Sequence, residues 1–328
     1  MKLIVDVMGF EGNLKDAISA SRDFMKKNKI DITLVGNENL IKPYILSSDK
    51  FEIVHSDVEI QQTDKIIDIR RKKNSSMEIA ANLVKNNEGD GLLSAGQSSI
   101  FIFLMYKTFG LIPGIKKPGF MPFIPTFESK KSGFNLIDVG ASITCDAEDL
   151  YNFAIMANIY AKGRGIENPT VAILNIGTEE KKGFEYHWEV HEKLKENPNI
   201  NYVGYVEPKG ILDSAPDVIV TDGYAGNLVL KSIEGSTKII FRRLLEKYKK
   251  PWNLFALLVS SPILLSMKKR FDYKNYAGAF VIGLNKIAVK THGNAGYKEF
   301  YSSLRMLKET IDGNILDKIK ETISEEIQ

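Results

Sequence analysis

Four times in this chain a run of branched apolar residues stops at a glycine and gives way to a helical pattern: Ser94-Ala95-Gly96, Asp138-Val139-Gly140, Asn175-Ile176-Gly177 and Asp222-Gly223-Tyr224-Ala225-Gly226-Asn227. A strand that feeds a tight turn opening a helix leaves bare backbone amides and the positive end of a helix dipole at the corner, which suits an anion such as phosphate. The last corner is the most specific, because two glycines, an acid and an amide are compressed between a strand and a long helix. Beyond Gly177, the run Glu179-Glu180-Lys181-Lys182-Gly183 could fold a lysine over the rim to meet phosphate as a point charge, or remain a mixed-charge surface loop. Arg70-Arg71-Lys72-Lys73 is either a solvated charge run or a steering patch for an anionic substrate.

Other chemistry-bearing residues are weaker candidates. His187 and His191 lie four apart in a helical stretch, as zinc ligands can, but Trp188 stands where a zinc protease has its glutamate. An exposed helix face is the reading, and no metal site is expected. Cys145 is the one cysteine, which excludes a disulfide framework. A thiolate there could accept an acyl group, yet no histidine neighbours it and lone cysteines commonly act as small buried hydrophobes. His292, in Thr291-His292-Gly293-Asn294, is a possible acid but reads first as structural. There is no G-x-G-x-x-G after the first strand and no G-x-x-x-x-G-K-[ST], which weakens ordinary dehydrogenase and NTPase readings. No cofactor is expected.

The elements that must position these corners follow from periodicity. At 328 residues and 44% hydrophobic content the chain can bury a large core, as one sizeable α/β domain or as two halves sharing a sheet. Branched runs predict strands at 3–8, 32–36, 51–55, 91–96, 134–140, 170–177, 202–206, 218–223 and 279–289. Apolar spacing of three and four predicts helices at 14–27, 76–86, 147–162, 185–196, 228–249 and 298–327, with Ser75 and Glu78 as a capping box. The alternation implies right-handed crossovers and a doubly wound sheet. Tyr106 to Phe127, rich in Pro and Gly, reads as a loop or irregular edge strand, and Gly163-Arg164-Gly165 as a helix C-terminal turn. A net charge of +3, from 44 basic and 41 acidic residues, gives no global field for nucleic acid, and Leu3 to Val7 begins without a signal-peptide pattern, so a cytoplasmic protein is expected.

Trp252 to Met267 is apolar, carries Pro262, and lies between Lys247, Lys249, Lys250 and Lys268, Lys269, Arg270. It is shorter than the roughly 18 to 20 apolar residues of a membrane span. Two short helices are expected, either in a buried hairpin or dimer contact, or lying on a membrane surface through Trp252, Leu254, Phe255, Leu257, Leu258, Ile263, Leu264 and Leu265.

In this order, Val5-Asp6-Val7-Met8-Gly9, Arg70 to Met77, Ser94-Ala95-Gly96, Asp138 to Ala141 with Cys145, Phe153 to Met156, Tyr160 to Lys162, Leu174 to Gly177, Lys182-Gly183, Asp222 to Asn227 and Ile233-Glu234-Gly235 resemble the PlsX family of phosphate acyltransferases, almost from end to end. The resemblance implies that inorganic phosphate attacks an acyl carrier protein thioester, giving acyl phosphate for phospholipid synthesis. It also implies a homodimeric three-layer α/β/α fold, like isopropylmalate dehydrogenases and phosphotransacetylases, as a single domain over 1–328. A helical extension over 228–275 would serve the dimer contact and the membrane side. For that reaction, Lys182 would neutralise phosphate and the developing oxyanion, Asn227 would donate a directed hydrogen bond, and Asp222 would orient them. Gly9, Ser94, Gly96, Asp138, Gly140, Gly177, Gly223 and Gly226 would surround phosphate and substrate. Arg242, Arg243, Lys247, Lys249 and Lys250 would dock the acidic carrier protein. The chain departs from the family pattern at Phe10 and Glu11, at Gln97 to Ser99, at Ser142 and at Thr178. The rival readings are another transferase or dehydrogenase on the same architecture, and a weak or inactive homologue acting as a membrane or carrier-protein adaptor.

Overall fold

A computed structural model of the chain describes residues 1–126, 132–213, 215–248, 250–270 and 276–327. In chain order the elements are β1 (Lys2–Asp6), α1 (Leu14–Asn28), β2 (Asp31–Gly36), α2 (Glu38–Ile41), β3 (Glu52–His55), α3 (Ser76–Lys85), β4 (Gly91–Ser94) and α4 (Ser98–Phe109). Then follow β5 (Gly119–Pro125), β6 (Gly133–Ile137), α5 (Ala147–Gly163), β7 (Thr170–Leu174), α6 (Glu185–Glu196), β8 (Asn201–Val206), β9 (Val218–Val220) and α7 (Gly223–Tyr248). The last are α8 (Leu254–Arg270), β10 (Ala279–Ile282), β11 (Ala288–Lys290), α9 (Tyr297–Asp312) and α10 (Ile315–Ile327).

Eleven strands form one sheet in the order β3-β2-β1-β4-β11-β10-β5-β6-β9-β7-β8. Alternate residues of each strand face opposite helical layers, as a pleat requires. Leu3 and Val5 belong to the apolar cluster that takes in residues of α1, α5, α6, α9 and α10, whereas Ile4, Leu92 and Ala288 belong to that of α3 and α4. Leu136, Leu174 and Ile219 meet Val229, Leu230 and Ile233 of α7 on that second side. The result is a three-layer α/β/α arrangement with a mostly parallel sheet.

The sheet nevertheless departs from a simple doubly wound one. The residues from Ala279 to Val289, expected as one strand, form the antiparallel pair β10 and β11. The stretch expected as a loop or edge contains the end of α4 and the central strand β5. Because β10 is antiparallel to both β11 and β5, and β5 is antiparallel to β6, the blocks β3-β2-β1-β4-β11 and β6-β9-β7-β8 run in opposite directions. They are offset along β5, whose residues 119–122 pair with β10 and 123–125 with β6. The C-terminal ends of both blocks therefore meet at the middle of β5.

The expectation for the apolar segment is also corrected. Trp252 to Met267 does not break at Pro262: after a short 3-10 turn at Pro251–Asn253, α8 runs through the proline. A proline has no N–H for the carbonyl four residues earlier, but Ser261 Oγ donates to the Leu258 carbonyl at 2.9 Å in its place. The segment is not a buried hairpin either, since Trp252 and Phe255 are 76% and 80% exposed. Among the described residues no helix is long and apolar enough to cross a membrane. The stretch expected as a single final helix is two, α9 and α10, with Asn314 at positive φ between them.

The first turn of α7 presses on the corner after β6. A Cβ on Gly226 would stand 1.8 Å from the Asp138 carbonyl oxygen, and one on Gly223 2.7 Å from Asp138 Oδ2. Gly226→Ala is therefore expected to lower the unfolding free energy by roughly 1–3 kcal/mol. Gly235→Ala, further along α7 where nothing lies within 4 Å, should instead gain about 0.5–1 kcal/mol. Denaturant titration of the two variants checks the contrast.

Candidate functional site

The corner after β6 is built around one carboxylate. Asp138 Oδ1 accepts from the backbone amides of Phe120 at 2.7 Å, Gly140 at 3.0 Å and Ala141 at 3.0 Å, and Oδ2 from Ser142 at 2.6 Å. Burial pushes its pKa up to about 6, while these amides pull it down. The carboxylate is thus occupied in fixing the turn and in tying β5 to β6. Gly223 N donates to the Ser142 carbonyl at 2.9 Å, and Asp222 caps α7 by accepting from Ala225 N at 2.9 Å. This seating brings the Asn227 side chain against Gly140, at 3.7 Å from where a Cβ would stand.

On the neighbouring corner, Asn175 Nδ2 and Trp188 Nε1 both donate to the Lys182 carbonyl at 2.9 Å, which shapes the loop after β7. The Lys182 side chain is half exposed, with Glu179 at 3.9 Å. Asp222 Oδ2 accepts from Tyr186 Oη at 3.4 Å. Strands β7 and β9, which deliver Lys182 and Asn227, are adjacent and parallel. A Cβ on Gly177 would meet the Glu179 carboxylate at 2.4 Å, a contact that this exposed side chain can relieve by turning away.

The opposite block contributes a row of polar residues. Asp6, Ser94 and Lys290 are register partners across β1, β4 and β11. Ser94 Oγ donates to Asp6 Oδ2 at 2.7 Å and accepts from Gly96 N at 3.1 Å. Burial raises the Asp6 pKa to about 6 against the Ser94 and Ser76 hydroxyls, and lowers Lys290 to about 7 against the attraction of Asp6. Gly9 has φ +68°, and a Cβ there would stand 2.1 Å from the Ile60 carbonyl oxygen. Gln62 Nε2 donates to the Gly9 carbonyl at 2.7 Å, and Glu11 N to the Gly293 carbonyl at 2.6 Å, so the turns after β1 and β11 are clasped together.

Between the two blocks, beside β5 and beneath α7, lies a cavity of about 660 Å³. Gly140 and Asn227 line it from one block, and Lys290, Thr291 and His292 from the other. Lys182, Asp222, Gly9, Ser94, Gly96, Gly177, Gly223 and Gly226 do not line it. Burial lowers the pKa of His292, whose Nε2 is 3.9 Å from Glu234. Sequence reasoning missed Lys290 and underrated His292. The only local sign was a lysine closing an apolar strand, followed by Thr-His-Gly.

Several expectations change. His187 and His191 are not on an exposed face: both are buried, with Nδ1 of His187 accepting from Phe184 N at 3.0 Å and Nδ1 of His191 2.7 Å from Tyr202 Oη. The departures from the family pattern have local roles. Phe10 packs edge-on against Phe300 at 5.3 Å, Gln97 caps α4 by accepting from Ile100 N at 2.7 Å, and Ser142 Oγ donates to the Pro118 carbonyl at 2.8 Å. Arg242, Arg243, Lys247 and Lys250 are exposed at the far end of α7 and just beyond it. Lys249 and the side chains of Leu254 and Leu257 lie outside the described residues.

Residues 1–318 match the family described as fatty acid synthesis protein. The chain belongs to this family. It is 53% identical over 321 residues to the phosphate acyltransferase of Malacoplasma penetrans (strain HF-2), covering 96% of each chain. To the phosphate acyltransferase of Mycoplasmoides gallisepticum it is 40% identical over 326 residues, covering 98% of each. Among solved structures, a phosphotransacetylase from Streptococcus pyogenes superposes with a TM-score of 0.63 at 17% identity, covering 96% of this chain and 94% of that one. A 4-hydroxythreonine-4-phosphate dehydrogenase from Klebsiella pneumoniae does so with 0.53 at 9% identity, covering 97% and 99%. These two structures share the architecture with this member of the fatty acid synthesis protein family.

Cys145 is poorly placed to be a nucleophile. Burial, with Asp149 and Asp138 nearby, pushes its thiol up to about 12. Alkylation by iodoacetamide at pH 8 should be at least about tenfold slower in the folded protein than in denaturant. Equal rates would return Cys145 to consideration.

Proposed function

We propose that this protein transfers a fatty acyl group from an acyl carrier protein thioester to inorganic phosphate, forming acyl phosphate for phospholipid synthesis. The observation that carries the reading is the 53% identity over almost the whole chain to a phosphate acyltransferase.

Phosphate is already an anionic nucleophile near neutral pH, so the site needs a cradle more than a base. One phosphate oxygen attacks the thioester carbon from roughly 3 Å, the carbonyl oxygen takes the negative charge, and the tetrahedral adduct collapses by breaking the C–S bond. The carrier thiolate departs with a pKa of roughly 8.5, which requires little acid help. Asn227, held over Gly140 by the close seating of α7, is the proposed donor to phosphate or the oxyanion. Lys182, on the adjoining corner, supplies positive charge, and Asp222 acts as a positioning residue by capping the turn that carries Asn227.

The extension over 228–275 is read as the partner-facing part. Exposed Ile239, Ile240 and Leu245 on α7, with Trp252, Phe255, Leu258, Ile263 and Leu265 near or on α8, suit a homodimer contact and peripheral attachment to a membrane. Arg242, Arg243, Lys247 and Lys250 are a basic surface for an acidic carrier protein.

Mass spectrometry of a mixture of the protein, an acyl carrier conjugate and phosphate should detect acyl phosphate; conjugate left intact under these conditions refutes the activity. Lys182→Ala and Asn227→Ala should each fold and lose on the order of a hundredfold in rate, the cost of about 3 kcal/mol for one lost donor. Near-normal turnover in either removes that residue from the mechanism. Carrier-protein affinity should fall as salt rises from low to high, and fall further in Arg242→Glu; affinity indifferent to salt counts against the basic surface.

A further inference from the structure

Lys182 does not line the chamber, and a cation on a flexible four-carbon stem can serve it only if the backbone beneath is pinned in place. The pins come from two directions. From the end of β7, Asn175 Nδ2 donates to the Lys182 carbonyl at 2.9 Å, and from the first turn of α6 Trp188 Nε1 donates to the same oxygen at 2.9 Å. The next residue, Gly183, has φ +87°, and a Cβ there would stand 2.5 Å from Asn175 Oδ1 and 2.8 Å from His187 Nδ1. Lys182-Gly183 is thus seated between Asn175 and His187. Nδ1 of His187 accepts from Phe184 N at 3.0 Å, and because an amide can only donate, that ring nitrogen is unprotonated. Burial lowers the His187 pKa against the attraction of Asp222, which favours this neutral form. The turn is itself tied to the sheet, since Tyr205 Oη of β8 donates to the His187 carbonyl at 3.0 Å.

We propose that Trp188 and His187 are positioning residues for acyl transfer, holding the Lys182 backbone so that its ammonium is directed to the group being transferred. This rests on the charge role proposed above for Lys182. The backbone of Lys182 to Phe184 is bound by Asn175, Trp188 and His187, whereas the ammonium has among the described residues only Glu179, at 3.9 Å. A fixed backbone under an uncommitted cation is what a preorganised site needs, and a mixed-charge surface loop has no use for it. The same helical turn reaches the other corner. Tyr186 Oη donates to Asp222 Oδ2 at 3.4 Å, and Asp222 caps the turn that carries Asn227, so the start of α6 sets Lys182 relative to Asn227.

Steady-state kinetics on the full-length protein, with acyl carrier conjugate and phosphate each varied, test the assignment, and circular dichroism shows which variants fold. Trp188→Phe, which keeps an aromatic ring and removes the N–H, should lower kcat on the order of tenfold, within the hundredfold that a misplacement of about 1 Å can cost. The KM for the conjugate should not move, because the basic surface proposed to dock it lies at the far end of α7. His187→Leu should act as Trp188→Phe does. His187→Asn should restore most of the rate, since its Oδ1 can accept from Phe184 N as Asp149 accepts from Asp146 N at the same third position of α5. In a Lys182→Ala background, Trp188→Phe should cost less than about twofold more, because the seat then holds nothing that reacts. A folded Trp188→Phe with wild-type turnover overturns the proposal, and so does a loss of the same factor with and without Lys182. Should Trp188→Phe not fold, the His187 pair decides: His187→Asn no faster than His187→Leu overturns it. Lys182→Ala alone separates this inference from the reading beneath it. Full turnover in that variant removes the lysine's role and the seat with it, whereas an impaired Lys182→Ala beside an unimpaired Trp188→Phe removes only the seat.

Discussion

The contact on which the site depends is the seating of the first turn of α7 on the corner after β6. Two glycines allow it: side chains at Gly223 or Gly226 would collide with Asp138. Asp138 in turn holds its corner rigid by gathering four backbone amides, one of them from β5. A buried carboxylate without such donors would be expensive. With them it joins strand, turn and helix, and the position of Asn227 beside Gly140 follows. The motif that looks like a ligand loop is therefore first a packing solution, which leaves one amide side chain where chemistry can use it.

The second constraint is the opposition of the two parallel blocks. In an ordinary doubly wound sheet all strand ends of one sense lie along one edge. Here the hairpin of β10 and β11 and the antiparallel β5 reverse the sense midway, and the offset along β5 brings both sets of ends to the centre of the molecule. A chamber between two halves is the consequence, lined by Lys290, Thr291 and His292 from one block and by Gly140 and Asn227 from the other.

Most helices and parallel strands were legible because their apolar periods are uninterrupted. The central region was not. Pro122 and Pro125 disguise β5 as a loop, since prolines argue locally against a central strand; its antiparallel neighbours on both sides accommodate them. The run from Ala279 to Val289 hides its turn because Gly283 alone signals a break. At the site, the glycine corners and Asn227 stood out by composition. Lys290 did not, because what makes it unusual is burial beside Asp6, a residue from the other end of the chain brought alongside only by the order β1-β4-β11. His187 and His191 erred the other way: a charged-looking helix gave no hint that Tyr202 and Tyr205 of β8 would cover His191, or that Phe184 and Tyr186 would pack on His187.

Ser261 has a consequence for the exposed helix that carries it. A proline within a helix ordinarily strands a carbonyl that only water can satisfy, which would tether that turn to the aqueous phase. Because the serine hydroxyl caps the Leu258 oxygen from within, α8 carries its proline without that debt. The exposed apolar side chains before it, Phe255 and Leu258, and after it, Ile263 and Leu265, are thereby carried on one continuous rod rather than on two fragments joined by a wet hinge.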